Sequence, residues 1–195
     1  MTVRLLIGSS NSGKLAEYRE LLAGLDLELV TPADLGGLPE PPEDARGYRE
    51  NAVAKAQAYQ QASGLLTVAD DSGLEVAALR GAPGVRSRRF FGAEATPAER
   101  NVRLLALLDG VADRSARFAA VVALARPDGR VETFEGEVRG EIAFAPRGAD
   151  GFGYDPVFVI AGDGRTMAEV PRAEKNAISH RGLAAAKLRA TLGDR

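Results

Sequence analysis

The 195-residue chain has no cysteine, one histidine and only four lysines among its 25 basic residues. Without thiols, neither a disulfide framework nor a thiolate zinc site can form, and one imidazole cannot build a histidine-rich metal centre. Any bound metal must therefore rest on oxygen ligands. Basic excess is also missing: the formal net charge is −2, which supplies no electrostatic footprint for a nucleic-acid backbone. No apolar run approaches the roughly 18–20 residues of a membrane span, and the short apolar start lacks the pattern of a signal peptide, so a cytoplasmic location is expected. The length suits one well-buried core, and a single domain over residues 1–195 is expected. Arginine fills most basic positions, so the lysines retained at 14, 55, 175 and 187 stand out.

What is present reads first as alternating elements. Val3 to Ile7 is a short apolar run stopped by Gly-Ser-Ser-Asn-Ser-Gly, a strand ending in a loop. Leu15, Tyr18, Leu21, Leu22 and Leu25 then recur at helical spacing, with Ser12 as candidate N-cap. Residues 31–47 are rich in proline, glycine and acids and read as an extended loop. A second helix is expected over Glu50–Ser63 with Gly64 as its stop, and a strand over Leu65–Ala69 that ends at Asp70-Asp71-Ser72-Gly73. Thr96-Pro97-Ala98-Glu99 is a capping box opening a third helix to about Leu108. Arg117–Arg126 and Val131–Val138 flank Pro-Asp-Gly-Arg as an antiparallel pair, and Ile142–Phe144 is a candidate third strand. Val157–Ile160 reads as a further strand, and Ala173–Leu192 as mostly helical with an internal cap at Ser179. Helices alternating with strands early and antiparallel strands late argue for an α/β fold with a mixed central sheet.

Four segments carry chemistry. The loop Gly8-Ser9-Ser10-Asn11-Ser12-Gly13-Lys14 leaves a strand and opens a helix, where free N–H groups, the helix dipole and an ammonium suit an anion. A P-loop needs a hydroxyl after its lysine, and Leu15 has none; the segment alone does not separate phosphate binding from an ordinary turn and cap. Asp70 and Asp71 are adjacent acids that would repel unless a cation or shared proton settled them. Magnesium, which keeps several waters and takes one or two carboxylates, suits them, with Glu43 a third candidate ligand. Gly151-Phe152-Gly153-Tyr154-Asp155-Pro156 offers aromatic rings in a loop, suited to stacking on a planar base. Lys175, Ser179, His180 and Arg181 fall within seven residues, and Lys14, Lys55, Lys175 and Arg181 together match the charge of an ionised triphosphate.

These segments, with Glu50–Ala56 and Gly81–Phe90, occur in an order that resembles the inosine triphosphate pyrophosphatase family from Ser9 to Arg181. The resemblance implies an elongated mixed sheet flanked by helices, two lobes with a nucleotide cleft between them, and a homodimer. It implies magnesium-dependent attack of water on the α-phosphorus of non-standard purine nucleoside triphosphates (ITP, dITP, XTP), giving monophosphate and pyrophosphate. Carried over, Ser9, Asn11, Lys14 and Lys55 would hold phosphates, with Ser10, Ser12 and Gly13 of the same loop also binding substrate. Asp71 would be the general base and a magnesium ligand beside Asp70 and Glu43, and Ser72 would touch substrate. Phe152 would stack on the base, with Gly153, Tyr154, Asp155, Lys175, Ser179, His180 and Arg181 lining the base and sugar–phosphate pocket. The family's Ser-Ala-Arg-Tyr reads Ser87-Arg88-Arg89-Phe90 here, so any polar role of that tyrosine is lost. A pyrophosphatase of the septum-inhibitor type, acting on pyrimidine or modified nucleotides, and a P-loop-like nucleotide-binding protein are the alternative readings.

Overall fold

The computed structural model describes residues 2–193. Strand β1 (Val3–Ile7) runs into helix α1 (Ser12–Leu21), followed by β2 (Leu27–Val30). The cap of α1 is Asn11, not Ser12: the Asn11 side chain accepts from Gly13 N and Lys14 N, and Ser12 is already helical. Strand β2 was not anticipated. Its four residues pair in parallel with β1, too short a run for alternation to stand out from the helix and loop around it.

Residues 31–47 are irregular apart from a single 3-10 turn at Ala33–Leu35. Helix α2 spans Tyr48–Ser63 and ends on Gly64 with φ +70°. Strand β3 (Leu66–Val76) does not stop at the acids but runs through Asp-Asp-Ser-Gly unbroken. It lies between β1 and β4 in the sheet, where neighbours on both sides satisfy its backbone and offset the weak strand preference of those four residues. Helix α3 (Pro97–Leu107) opens with the complete capping box. Strands β4 (Ser115–Ala125) and β5 (Val131–Ile142) are joined by a turn in which Arg126 N donates to Arg130 O at 2.9 Å. Ile142 is the last residue of β5, so the separate strand expected at 142–144 does not form. Strand β6 (Phe158–Ile160) pairs antiparallel with β5. Helices α4 (Arg172–Ile178) and α5 (His180–Gly193) are parted at Ser179, which is extended.

The six strands form one mixed sheet in the order β2-β1-β3-β4-β5-β6. The chain divides into two compact units, each made of separate segments: residues 1–71, 120–136 and 181–195 in the first, 72–119 and 137–180 in the second. In the first unit, Leu5, Ile7, Val68, Val122 and Leu124 pack with Tyr18 and Leu22 of α1 and with Ala184, Ala185 and Leu188 of α5. Residues of opposite parity on the same strands, Ala69, Val121 and Ala123, pack with Ala52 and Ala56 of α2. Alternation along the strands therefore gives α1 and α5 one sheet face and α2 the other. The second unit has one large core in which Leu74, Leu104, Phe118, Tyr154, Phe158 and Met167 meet. Among the described residues, no helix is long and apolar enough to cross a membrane.

Candidate active site

Because β3 is extended through its acids, Asp70 and Asp71 point to opposite faces. Asp70 lies on the face of α1 and α5. Its Oδ2 pairs with Lys14 Nζ at 3.0 Å and with Arg181 Nε at 3.1 Å. Its carbonyl accepts from Lys14 Nζ at 3.3 Å and Lys55 Nζ at 3.2 Å. Burial pushes the Asp70 carboxyl up, but the charges of Lys14, Arg181 and Lys55 outweigh it and hold the group well below the usual carboxylate range. Its other oxygen, Oδ1, is buried without a hydrogen-bond partner.

Asp71, on the face of α2, has a different environment. Burial raises its carboxyl, the hydrogen bond from Asn51 Nδ2 at 2.8 Å works the other way, and the nearby charge of Glu43 adds to the rise. The repulsion expected between neighbouring acids is thus settled by sending one into a nest of cations and the other against an amide. Glu43 itself forms an ion pair with Lys55.

One further residue, Glu17, completes the nest. Arg181 Nη1 pairs with Glu17 Oε2 at 2.6 Å, and Asp70 and Glu17 raise the guanidinium above its ordinary value against the effect of burial. Lys14 is lowered by burial, with the pull of Asp70 opposing. Of the three cations, Lys14 keeps 13 % of its side chain accessible against 4 % for Lys55 and 2 % for Arg181, so Lys14 is the one best placed to meet a ligand. Glu17 and Asn51 were missed in the sequence. Glu17 sits on α1 between apolar positions with no charge pattern to mark it, whereas Asn51, buried beside Ala52 in Glu50–Ala56, lay inside a quoted motif.

In the Gly8–Lys14 loop, Asn11 Oδ1 already takes Gly13 N at 2.9 Å and Lys14 N at 3.2 Å. Ser9 Oγ accepts from Asn11 N, and Ser10 Oγ donates to Glu40 Oε2 at 2.6 Å. Two first-turn N–H groups are therefore spent on the cap, and the loop's anion capacity rests on Lys14, the hydroxyls and what remains of the helix dipole.

The second unit carries the aromatic loop. Asp155 Oδ2 accepts from Phe152 N at 2.8 Å and from Lys175 Nζ at 2.6 Å, and Lys175 Nζ lies 4.9 Å from the Phe152 ring centroid. Gly151 has φ +78°, and a Cβ there would run into the Asp155 carboxyl. The Gly153 carbonyl accepts from Asn101 Nδ2 at 3.2 Å. Tyr154 is not an exposed loop ring as expected: it is buried in the second unit's core, and its hydroxyl donates to Ser87 O at 3.0 Å. His180 is buried and stacked on Phe118 at 4.8 Å, and Ser72 is half-buried just after Asp71 on β3. Structure thus divides the expected residues into two clusters. Ser9–Lys14, Glu43, Lys55, Asp70, Asp71 and Arg181 fall in the first unit; Ser72, Phe152–Asp155, Lys175, Ser179 and His180 fall in the second. Among the described residues, no three His, Cys, Asp or Glu side chains converge in metal-holding geometry.

Fold and clusters define an α/β protein with a strand-borne acid pair, one acid wrapped in cations and one desolvated. The chain belongs to the Ham1 family, whose model matches residues 5–191. It is 48% identical over 98% of its length, and 90% of the relative's, to a protein of Deinococcus deserti named dITP/XTP pyrophosphatase. A solved HAM1 protein from Coxiella burnetii superposes with TM-score 0.90 at 42% identity, covering 99% of this chain and all of that one. A nucleoside-triphosphatase / dITP/XTP pyrophosphatase from Mycobacterium abscessus gives 0.76 at 43% identity over 95% of this chain and 98% of that one.

Proposed function

We propose that this chain hydrolyses non-standard purine nucleoside triphosphates, dITP, ITP and XTP, to the monophosphate and pyrophosphate by attack of water on the α-phosphorus. The observation that carries the reading is the division of labour at Asp70 and Asp71, one acid fixing cations and its neighbour held desolvated against Asn51. Relatives named dITP/XTP pyrophosphatase support it.

Lys14, Ser9, Asn11 and Lys55 hold phosphate oxygens in this reading, and Lys14 is kept in place by Asp70, which Arg181 and Glu17 hold in turn. Arg181 spends Nε and Nη1 on those acids, so its role is to set the nest. Asp71 acts as general base: a carboxylate raised by desolvation is a better proton acceptor than one in water, and it orients the attacking water. The donors present fit a hard divalent cation. They are oxygens only, and Asp71 is raised by burial and by the nearby negative charge of Glu43, which a divalent cation between the two would offset. Asp71 and Glu43 would hold Mg2+, which when bound neutralises phosphate charge and the leaving pyrophosphate, while Asp70, on the opposite strand face and paired with Lys14 and Arg181, would not share it. With so few carboxylates together, substrate phosphates and waters would complete the coordination.

At the base end, Phe152 stacks, with Lys175 over its ring and Asp155 pinning the loop. A cationic donor there meets the acceptor O6 of hypoxanthine or xanthine and faces a donor amino group in adenine, a mismatch that a buried site penalises. The proposal includes a homodimer in the cytoplasm, to be checked by sedimentation.

The experiment is a substrate panel with MgCl2: dITP, ITP and XTP against ATP, GTP, dTTP and UTP, with products resolved. Monophosphate and pyrophosphate from the first three support the reading; release of single phosphate, or preference for ATP or a pyrimidine nucleotide, rejects it. Asp71→Asn should abolish turnover while dITP binding is largely kept.

A further inference from the structure

We infer that Asn51 is a positioning residue that locks Asp71 and the acidic loop bearing Glu43 into one arrangement and thereby sets divalent-cation uptake. The inference rests on the reading above only in treating Asp71 and Glu43 as the acids that receive the cation.

Asn51 is 2 % exposed in α2. Its amide has two donor hydrogens and an acceptor oxygen, and each kind of group has a partner. Oδ1 accepts from Ala45 N at 3.0 Å, while Nδ2 donates to Ala45 O at 3.4 Å and to Asp71 Oδ2 at 2.8 Å. The flipped amide would set its NH2 against the Ala45 N–H and its oxygen against a carboxylate, so one orientation alone satisfies all partners. One end of this side chain clasps the backbone of Ala45, two residues beyond Glu43. The other end fixes one oxygen of Asp71. Helix α2 carries the clasp rigidly, because Asn51 N also donates to Gly47 O at 3.2 Å. Glu43 and Asp71 lie 28 positions apart in the numbering and on different elements, and Asn51 ties the backbone beside the one to the carboxylate of the other. Such an outer contact decides whether ligands are held in place before the cation arrives or must be gathered by it.

The test follows Mn2+ uptake, read from the loss of the free-ion signal in electron paramagnetic resonance, on the full chain. In Asn51→Ala the apparent Mn2+ affinity should fall by about 10- to 100-fold, with kcat for dITP restored in part by raised MgCl2 and KM for dITP at saturating metal little changed. In an Asp71→Asn background the same substitution should change the residual affinity by less than about twofold, since contacts in one network are non-additive. Unchanged Mn2+ affinity in a folded Asn51→Ala protein overturns the inference, as does an equal loss in both backgrounds, the mark of a merely structural residue. Should Asn51→Ala fail to fold, Asn51→Leu keeps most of the volume, removes both ends of the clasp without adding a charge or a metal ligand, and carries the same two outcomes. Uptake requires no turnover. A wild-type protein that binds Mn2+ but leaves dITP and XTP intact rejects the functional reading and leaves this one standing; a wild-type protein that binds none overturns this one.

Discussion

The buried pair of Lys175 and Asp155 offers the sharpest energetic test. The two charges are 2.6 Å apart and each side chain is only 5 % exposed. Replacing Lys175 by methionine keeps most of the stem and deletes the charge, leaving the Asp155 carboxylate with Phe152 N–H as its hydrogen-bond donor in the loop. Removing one partner of a buried pair costs about 3–5 kcal/mol, because the remaining charge has lost water and gained nothing. For a chain of this size each kcal/mol moves the melting temperature by about 2–4 °C, so Lys175→Met should melt roughly 6–20 °C lower. Asp155→Asn keeps the acceptor for Phe152 N but removes the carboxylate charge opposite the buried Lys175 ammonium and should fall in the same range. The double variant retains no charge to strand, so its loss should be well below the sum, with a coupling of at least about 1 kcal/mol. Urea denaturation of the four proteins, followed by circular dichroism, measures the cycle. Single losses under about 1 kcal/mol, or strict additivity, would refute the argument that this loop is fixed by a desolvated charge pair.

Other consequences are simpler. Gly8→Ala places a Cβ 2.6 Å from Cδ2 of the buried Tyr59 ring, so it should cost about 1–3 kcal/mol as overpacking does; an unchanged urea midpoint would show that the loop can yield. Tyr154→Phe deletes the bond to Ser87 O and should cost about 1–3 kcal/mol by orphaning that carbonyl. Burial pushes the Tyr154 phenol up from 10.0 to about 12. The folded state therefore favours the neutral phenol, and stability should decline as pH rises from 10 to about 12, with the ultraviolet phenolate signal of this tyrosine late in the titration. Asp163, hydrogen-bonded by Arg165, is held down at about 2 from 3.8. Its contribution is present above pH 3.8 and lost as pH falls toward 2, and a carboxyl NMR titration should return to the ordinary range in Arg165→Gln.

The legible parts of this fold were those with a local cause. The capping box at Thr96–Glu99 marked α3, Gly64 marked the end of α2, and Ser179 marked the break between the last two helices. Each depends on backbone chemistry within a few residues. Strand β2 and the continuation of β3 through Asp70–Gly73 depend on neighbouring strands instead, which no local pattern encodes. The same holds for the candidate site. Lys14, Lys55, Asp70 and Asp71 stood out as residue types in suggestive places, but Glu17 and Asn51 matter through partners at distances of 164 and 20 positions along the chain. Tyr154 read as an exposed ring because its loop is rich in glycine, whereas tertiary packing folds that ring into the second unit's core.

The opposed faces of Asp70 and Asp71 also bear on how this strand tolerates change. One step along an extended chain gives these neighbours different direct partners, although the charges of Lys14 and Lys55 still reach Asp71. Charge can be tuned on the Lys14–Arg181 side without altering the packing of the acid against Asn51, and the reverse. Deleting a single residue ahead of the pair would exchange their surroundings, delivering an acid to an amide shaped for its neighbour and leaving the cations opposite a different side chain. Away from Asp70 and Asp71 themselves, substitutions in this strand should therefore disturb the fold, read as the urea midpoint, far less than frame-preserving insertions or deletions of one residue.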